Sequence, residues 1–308
     1  IAAVSQHADH VGSDIAGASS DDDREPCVHE WGCNNDTKDR TAGLCRGGTL
    51  ISPMNTLSII IVAKDEAANI VECVRSARFA DEVIVLDSGS RDCTADLARA
   101  EGATVVTTDW PGYGPQNNRG IDMAKGDWFF SLDADERITP QLAAEIRAAM
   151  AQAGINGYRV PRISMYCGRF MHHSGWRPDY TWRLARRGQG RFTEHYLHAH
   201  LEVKGATGTL KNDIVHFSFR TMESVLEKLD RYSTASARDM TAAGRKGSFG
   251  RAIGHGLWAF FRTYVLRLGF LDGRWGFMLA VSNAEGTYYR YIKLWLMQDP
   301  PLTNHPPS

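Results

Sequence analysis

Four short apolar runs constrain this chain more than any other feature. "LSIIIVA" (57–63) is nearly continuous and β-branched, which suits a strand buried on both faces of a parallel sheet. "EVIVLD" (82–87), "TVVTT" (104–108) and "DWFFSL" (127–132) repeat the signal. Helical patterns separate them. "ANIVECVRSAR" (68–78) puts Ile70, Val71 and Val74 on one face, "SGSRDCTADLARAEG" turns into a helix that stops at Gly102, and "PQNNRGIDMAKG" supplies a third helix. This alternation predicts an α/β fold with a Rossmann-like, doubly wound, mostly parallel sheet.

In such sheets ligands bind beyond the carboxyl ends of the strands. Acids stand there: Asp65 and Glu66 after the first strand, Asp87 after the second, Asp133 and Asp135 after the fourth. Any one of them alone reads as a cap or a solvated turn. Converging on one edge, they suit a ligand with hydroxyl groups and a cation. The chain has no GxGxxG and no P-loop, so a bound diphosphate needs another counter-charge. A hard divalent ion, Mg²⁺ or Mn²⁺, would take carboxylate oxygens on one side and diphosphate oxygens on the other.

Composition excludes some classes. The formal net charge of -1 over 308 residues hides an acidic head, with nine acidic against four basic residues in 1–53, and a basic tail, with eight Lys/Arg against three Asp/Glu from 244 onward. The basic excess is modest and carries no recognised module, so nucleic acid is not an expected partner. No segment reaches the ~18 apolar residues of a membrane span, and residues 1–20 lack the apolar stretch of a secretory signal. The six cysteines show no CxxC pair, and Cys73 and Cys93 read as reduced, packed thiols. Residues 1–53 lack periodicity and read as a disordered or non-native extension, with the catalytic domain starting at Met54. A small metal site from Cys27, His29, Cys33 and Cys45 competes with that reading, but the spacing fits no zinc pattern.

"LSIIIVAKDEAANI", "EVIVLDSGSRDCT", "GDWFFSLDADE" and "GRFMHHSGWRPDYTWRL" together resemble family 2 glycosyltransferases of the GT-A fold, and are most similar to the bacterial lipopolysaccharide-core β-glucosyltransferase group. "LRLGFLDGRWGFMLAVSNAEGTYYRYIKLW" (266–295) resembles that group's C-terminal region. The resemblance spans roughly 57–296. It implies an inverting transfer of a hexose, glucose first, from a UDP-sugar to a lipopolysaccharide-core or other lipid-linked glycan.

The resemblance also implies roles. Asp87 contacts the nucleoside, with Asp65 and Glu66 lining the base pocket. Asp135 is the direct metal ligand, with Asp133 beside it near the ribose or a metal-bound water. Asn118 lies near the donor. His216 lies close to the diphosphate and the metal, and a packed histidine under a strand end is the competing reading. Relatives carry their general base as the Glu of a "VHE" element. Here "YLHAHLEV" (196–203) puts Ala199 at that place. Asp179 takes first place as the base, with His198 and His200 behind it and Glu194 nearby. An alternative is weak or altered activity. The missing Glu also keeps open a polyprenyl-phosphate sugar transferase, which attacks with a phosphate. A nucleotidyltransferase and a non-catalytic sugar-nucleotide-binding membrane protein are further alternatives.

In "MYCGRFMHHSGWRPDY" (165–180), Trp176 could stack on a sugar, and Arg169, Arg177 and Arg183 could pair with acceptor phosphates. A solvated loop around a buried Trp is the bland reading. After residue 220 the pattern is helical and amphipathic. Leu257, Phe261, Tyr264, Val265 and Leu268 follow helical spacing, and aromatics stand beside Arg and Lys in 276–297. This suits an anionic membrane surface, with packing on the catalytic domain or a dimer partner as the rival. The expected organisation is a catalytic domain at 54–220, a membrane-associating helical region at 221–298 and a tail at 299–308. The protein would sit in the cytoplasm, peripheral on the inner face of the bacterial cytoplasmic membrane.

Overall fold

A computed structural model describes residues 55–194 and 199–298. The expectations for 1–53, for His198 and for the tail lie outside the described residues.

The first half is the expected alternation of strands and helices. Strands β1 (Leu57–Ala63), β2 (Glu82–Asp87), β3 (Thr104–Thr107) and β4 (Trp128–Asp133) pair in parallel in the order β3-β2-β1-β4. Between them run α1 (Ile70–Ala77), α2 (Thr94–Ala100) and α3 (Tyr113–Met123). Side-chain alternation along β1 makes two cores. Leu57, Ile59 and Ile61 face α1, α2 and α4 (Pro140–Met150), packing with Ile70, Val74, Ala98, Leu142 and Ile146. Ile60 and Val62 face the other way, with Ile84, Leu86 and Phe129, against Ile121 of α3. Both faces are covered, which is why β1 reads as an unbroken apolar run.

Beyond β4 the sheet becomes mixed. It continues β4-β8-β6-β12-β5, with β5 (Glu136–Ile138), β6 (Gly157–Tyr166), β8 (Asp179–Arg186) and β12 (Ile214–Phe219). Here β8 is antiparallel to both β4 and β6, while β12 is parallel to β6. The short strands β7 (Arg169–Phe170) and β11 (Thr207–Thr209) pair with β6, and β9 (Gly190–Phe192) forms a separate ribbon with β10 (Leu201–Val203).

Three helices close the described chain. Helix α5 (Met222–Ala242) starts at a capping box between Thr221 and Ser224. Helix α6 (Phe249–Phe261) is capped by Ser248 and runs into a π-helical turn at Arg262–Leu266. A 3₁₀ turn at Gly269–Asp272 leads to α7 (Gly273–Gln298). The C-terminal helices are tied to the sheet by a third core of Tyr166, Met171, Trp176, Phe219, Val225 and Leu279. The Tyr166 and Ser282 hydroxyls, 2.8 Å apart, reinforce it. Among the described residues no helix is long and apolar enough to cross a membrane.

Two local expectations need correction. Trp176 is 4% exposed and packs on Tyr166 and Phe219, so it is core and not a platform for a sugar. Cys93 is disulfide-bonded, whereas Cys73 and Cys167 are free.

Candidate active site

The strand register gathers the acids. Asp87 stands opposite Ala63, and Asp133 opposite Val62 on the other side of β1. The two acids are therefore two strand spacings apart, roughly 10 Å. Asp65 follows β1 in the left-handed region, at φ 54. This turn is stitched to the turn after β2. The N–H groups of Asp65, Glu66 and Ala67 donate to Ser90 Oγ, Thr94 Oγ1 and Asp92 Oδ2 at 2.8–3.0 Å, and Arg91 N–H donates to Asp65 Oδ1 at 2.7 Å. The Asp87 carboxylate, 3% exposed, accepts from the Ser90 hydroxyl. Asp65, Glu66 and Asp87 thus share one two-loop wall.

The "DADE" stretch (133–136) splits into two environments. Asp133 Oδ1 accepts from the Tyr113 hydroxyl at 2.8 Å, and Oδ2 accepts from Arg183 at 2.7 Å. Arg183 also donates to Glu136 at 2.7 Å, and Arg162 reaches Glu136 at 3.2 Å and Asp179 at 2.6 Å. An alternating row therefore runs Asp133, Arg183, Glu136, Arg162, Asp179. Its centre is dry, since Glu136 is fully buried and Arg162 and Arg183 are nearly so. Burial alone would raise the Asp133 carboxyl, but the Arg183 charge and hydrogen bond outweigh it and hold it below the usual range. Burial and the Asp133 charge push the Tyr113 hydroxyl up.

Asp135 lies apart from that row. Its Oδ2 is 3.2 Å from His216 Nε2, and His216 Nδ1 is 3.0 Å from Ser164 Oγ. The register explains this: His216 on β12 stands opposite Glu136 of β5 on one side and Ser164 of β6 on the other. Burial would raise the Asp135 carboxyl, but His216, with Lys228 and Arg162 farther off, holds it well below the usual carboxylate range.

The remaining candidates are placed as follows. Asn118 is buried, and its amide clamps the main chain of Phe192, donating to its carbonyl and accepting from its N–H at 2.9 Å. Asp179 opens β8, with both Arg162 bonds landing on Oδ2. His200 is exposed and lies 3.5 Å from Glu202. It borders a small cavity of about 90 Å³, together with Ala199, Arg183, Tyr113 and Phe192. The expected acceptor-phosphate arginines have other partners: Arg183 is in the buried row, Arg177 pairs with Asp213 at 2.8 Å, and Arg169 lies over Trp275.

Sequence reasoning passed over Glu136, Arg162, Tyr113 and Ser164. The available signal was arginine at Arg162 and Arg183 inside otherwise β-forming runs, since a buried guanidinium demands a buried acid.

The Glycosyl transferase family 2 profile matches residues 58–212. This chain belongs to that family. An uncharacterized glycosyltransferase of Rickettsia bellii is 30% identical over 254 residues, covering 77% of this chain and 85% of the relative. The lipopolysaccharide core biosynthesis glycosyltransferase LpsC of Rhizobium meliloti is 28% identical over 264 residues, covering 79% of this chain and 93% of LpsC. Among solved structures, glucosyl-3-phosphoglycerate synthase from Mycobacterium tuberculosis in complex with Mn²⁺, UDP and glucosyl-3-phosphoglycerate is 30% identical over 37% of this chain, with a TM-score of 0.31. The match spans 45% of that synthase chain, less than half its length. Asp65, Glu66, Asp87, Asp133, Asp135 and Asp179 all lie within the residues that the family profile matches, and His216 just beyond them.

Proposed function

We propose that this family 2 glycosyltransferase moves a hexose, glucose first, with inversion from a UDP-sugar to a lipopolysaccharide-core or other lipid-linked glycan. The observation that carries the reading is the Asp135–His216 pair, 3.2 Å apart at the carboxyl end of β4. The likeness to LpsC over nearly its whole length supports the acceptor class. In this reading 54–220 performs catalysis, 221–298 associates with the membrane, and the protein works at the inner face of the bacterial cytoplasmic membrane.

The donor pair fits a divalent cation. The fit rests on donor chemistry: a carboxylate oxygen and an imidazole nitrogen stand 3.2 Å apart and could both turn to one ion. Among the described residues no group of three or more His, Cys, Asp or Glu side chains is arranged to hold a metal. A divalent ion that arrives with the nucleotide diphosphate would ask only one or two side chains of the protein. Asp135 Oδ2 and His216 Nε2 would hold the ion, and when bound it supplies the positive charge that a departing diphosphate requires.

The protein's own groups do the rest. For Nε2 to offer its lone pair, the His216 proton must sit on Nδ1, where the Ser164 oxygen accepts it. Asp133 is satisfied by Arg183 and Tyr113, which suits a fixed acceptor for a ribose hydroxyl better than a direct metal ligand. Asp87, Asp65 and Glu66 form the nucleoside wall. Asp179 is the base we favour: Arg162 fixes it through Oδ2, leaving Oδ1 for the acceptor hydroxyl. His200 is second in line.

The test is product analysis with UDP-glucose, Mn²⁺ and a lipopolysaccharide-core acceptor. A glycoside with free UDP is expected, with kcat falling about 100-fold in Asp179→Asn. A lipid-linked sugar phosphate would replace this reading with the polyprenyl-phosphate one, and released pyrophosphate would end both.

A further inference from the structure

Helix α6 is built inside out for a helix in water. Its small residues Ala252, Gly256 and Ala259, and Thr263 in the turn beyond, are buried, and a Cβ on Gly256 would sit 3.3 Å from that of Tyr288 on α7. Most of its large apolar residues face outward, Phe260 being the exception that packs on Phe277 of α7. Phe249, Ile253, Leu257, Phe261 and Val265 recur every four residues and are 41–69% exposed. The stripe continues through the turns in Leu266, Leu268, Phe270 and Leu271, each 46–56% exposed. A soluble amphipathic helix turns its large apolar side chains inward. Small residues between helices with large apolar ones outside is the packing of helices in lipid.

Charge distinguishes lipid from a protein partner. Arg245, Lys246 and Arg251 flank the start of α6, and Arg262, Arg267 and Arg274 flank the tip, all exposed. Among the described residues none of the six is in an ion pair. The described acids of this region are Asp272 and Glu285. Asp272 is consumed by the N–H groups of His172 and His173 and the Ser174 hydroxyl. A second copy docked by two-fold symmetry would set these cations against their own kind. An anionic lipid surface matches both the apolar stripe and its cationic rim.

Position supplies the third argument. Ser174 N–H donates to the Arg267 carbonyl at 2.8 Å, so the tip is latched to the 171–176 loop. That loop runs into Asp179 at the start of β8, the end of the sheet that carries Asp133 and Asp135.

We propose that α6 and the two turns after it form a docking face that seats in the interface of an anionic bilayer, lying along it and not crossing it. This locates within 221–298 the membrane association proposed above, and its turning the catalytic end toward a lipid-borne acceptor rests on that reading; the vesicle binding itself does not depend on the transfer reaction.

Flotation of the full chain with phosphatidylglycerol–phosphatidylethanolamine vesicles tests the docking, with phosphatidylcholine vesicles as the uncharged control. Binding to the anionic vesicles at low salt is expected. It should weaken on adding salt and in Arg262→Glu, and drop at least about tenfold in Leu257→Glu/Leu271→Glu, since charges displace apolar contact. Melting temperature and Mn²⁺–UDP stabilisation of that double variant should match the parent, because both leucines are exposed. Absence of flotation at low salt, or flotation indifferent to the double substitution, would overturn the proposal. So would a dimer in sedimentation that the substitutions dissociate while no vesicle binding is seen. A chain that floats but transfers no sugar leaves the docking standing and removes the acceptor reading alone.

Discussion

His216 Nε2 lies 3.2 Å from Asp135 Oδ2 across 81 residues of sequence. Strand β12 brings the imidazole to the acid, and Ser164 on the neighbouring strand fixes the ring.

Asp135→Asn should therefore remove two properties at once. In EDTA, the native carboxyl titrates below its unfolded value, so its contribution to stability is present above about pH 4 and is lost as the pH falls below that. Urea denaturation from pH 7 downward should show a shallower acid loss in the variant, by up to about 1.4 kcal/mol per pH unit. With Mn²⁺ and UDP at neutral pH, the parent should gain several degrees in melting temperature by mass action, and the variant should gain none. A variant that keeps the full Mn²⁺–UDP shift would contradict the metal assignment.

Arg183→Ala should be among the most destabilising single changes in the chain. It strips Asp133 of its guanidinium and leaves the fully buried Glu136 only Arg162, at 3.2 Å and shared with Asp179. Breaking a buried ion pair from one side costs about 3–5 kcal/mol. Arg183→Lys should recover only part of that, because a single ammonium cannot replace the fork that reaches Asp133, Glu136 and Tyr113. Equilibrium urea unfolding measures both.

Gly114→Ala should hurt both catalysis and folding. A Cβ there would overlap the Thr193 carbonyl oxygen and come 3.1 Å from Ala199 Cβ. The first turn of α3 would shift, and with it Tyr113 and the cavity beside Arg183. A displacement of this kind costs about 100-fold in kcat/KM against a stability loss of about 1–3 kcal/mol. Steady-state kinetics beside a denaturation curve separates the two.

The parallel half of the sheet was legible because its physics is local. A strand buried on both faces must be apolar throughout, and 57–63 and 82–87 coincide with β1 and β2. The mixed half was not legible. Strands β6 and β8 carry Arg162 and Arg183 in their interiors, so their hydropathy reads as loop although both side chains are buried. The partners that make this burial tolerable stand 26 and 47 residues away at Glu136, a distance that no local pattern spans. Asp135 was singled out by its place after the fourth strand and His216 through resemblance; the pairing itself, and the Ser164 behind it, are tertiary facts. Trp176 misled because an aromatic in a glycine- and arginine-rich loop looks like a ligand platform, yet it anchors the C-terminal helices.

The buried row of alternating charges also limits how this protein can change over evolutionary time. Removing Arg162 or Arg183 leaves three acids around a single guanidinium in an apolar setting, whereas removing Glu136 still leaves Arg162 on Asp179 and Arg183 on Asp133, and exchanging the whole set for well-packed neutral side chains need not cost stability. Descendants of this sequence are thus expected to lose either arginine only together with the glutamate, so a lineage that drops Arg162 or Arg183 should reveal it by a neutral residue at position 136 in the same chain.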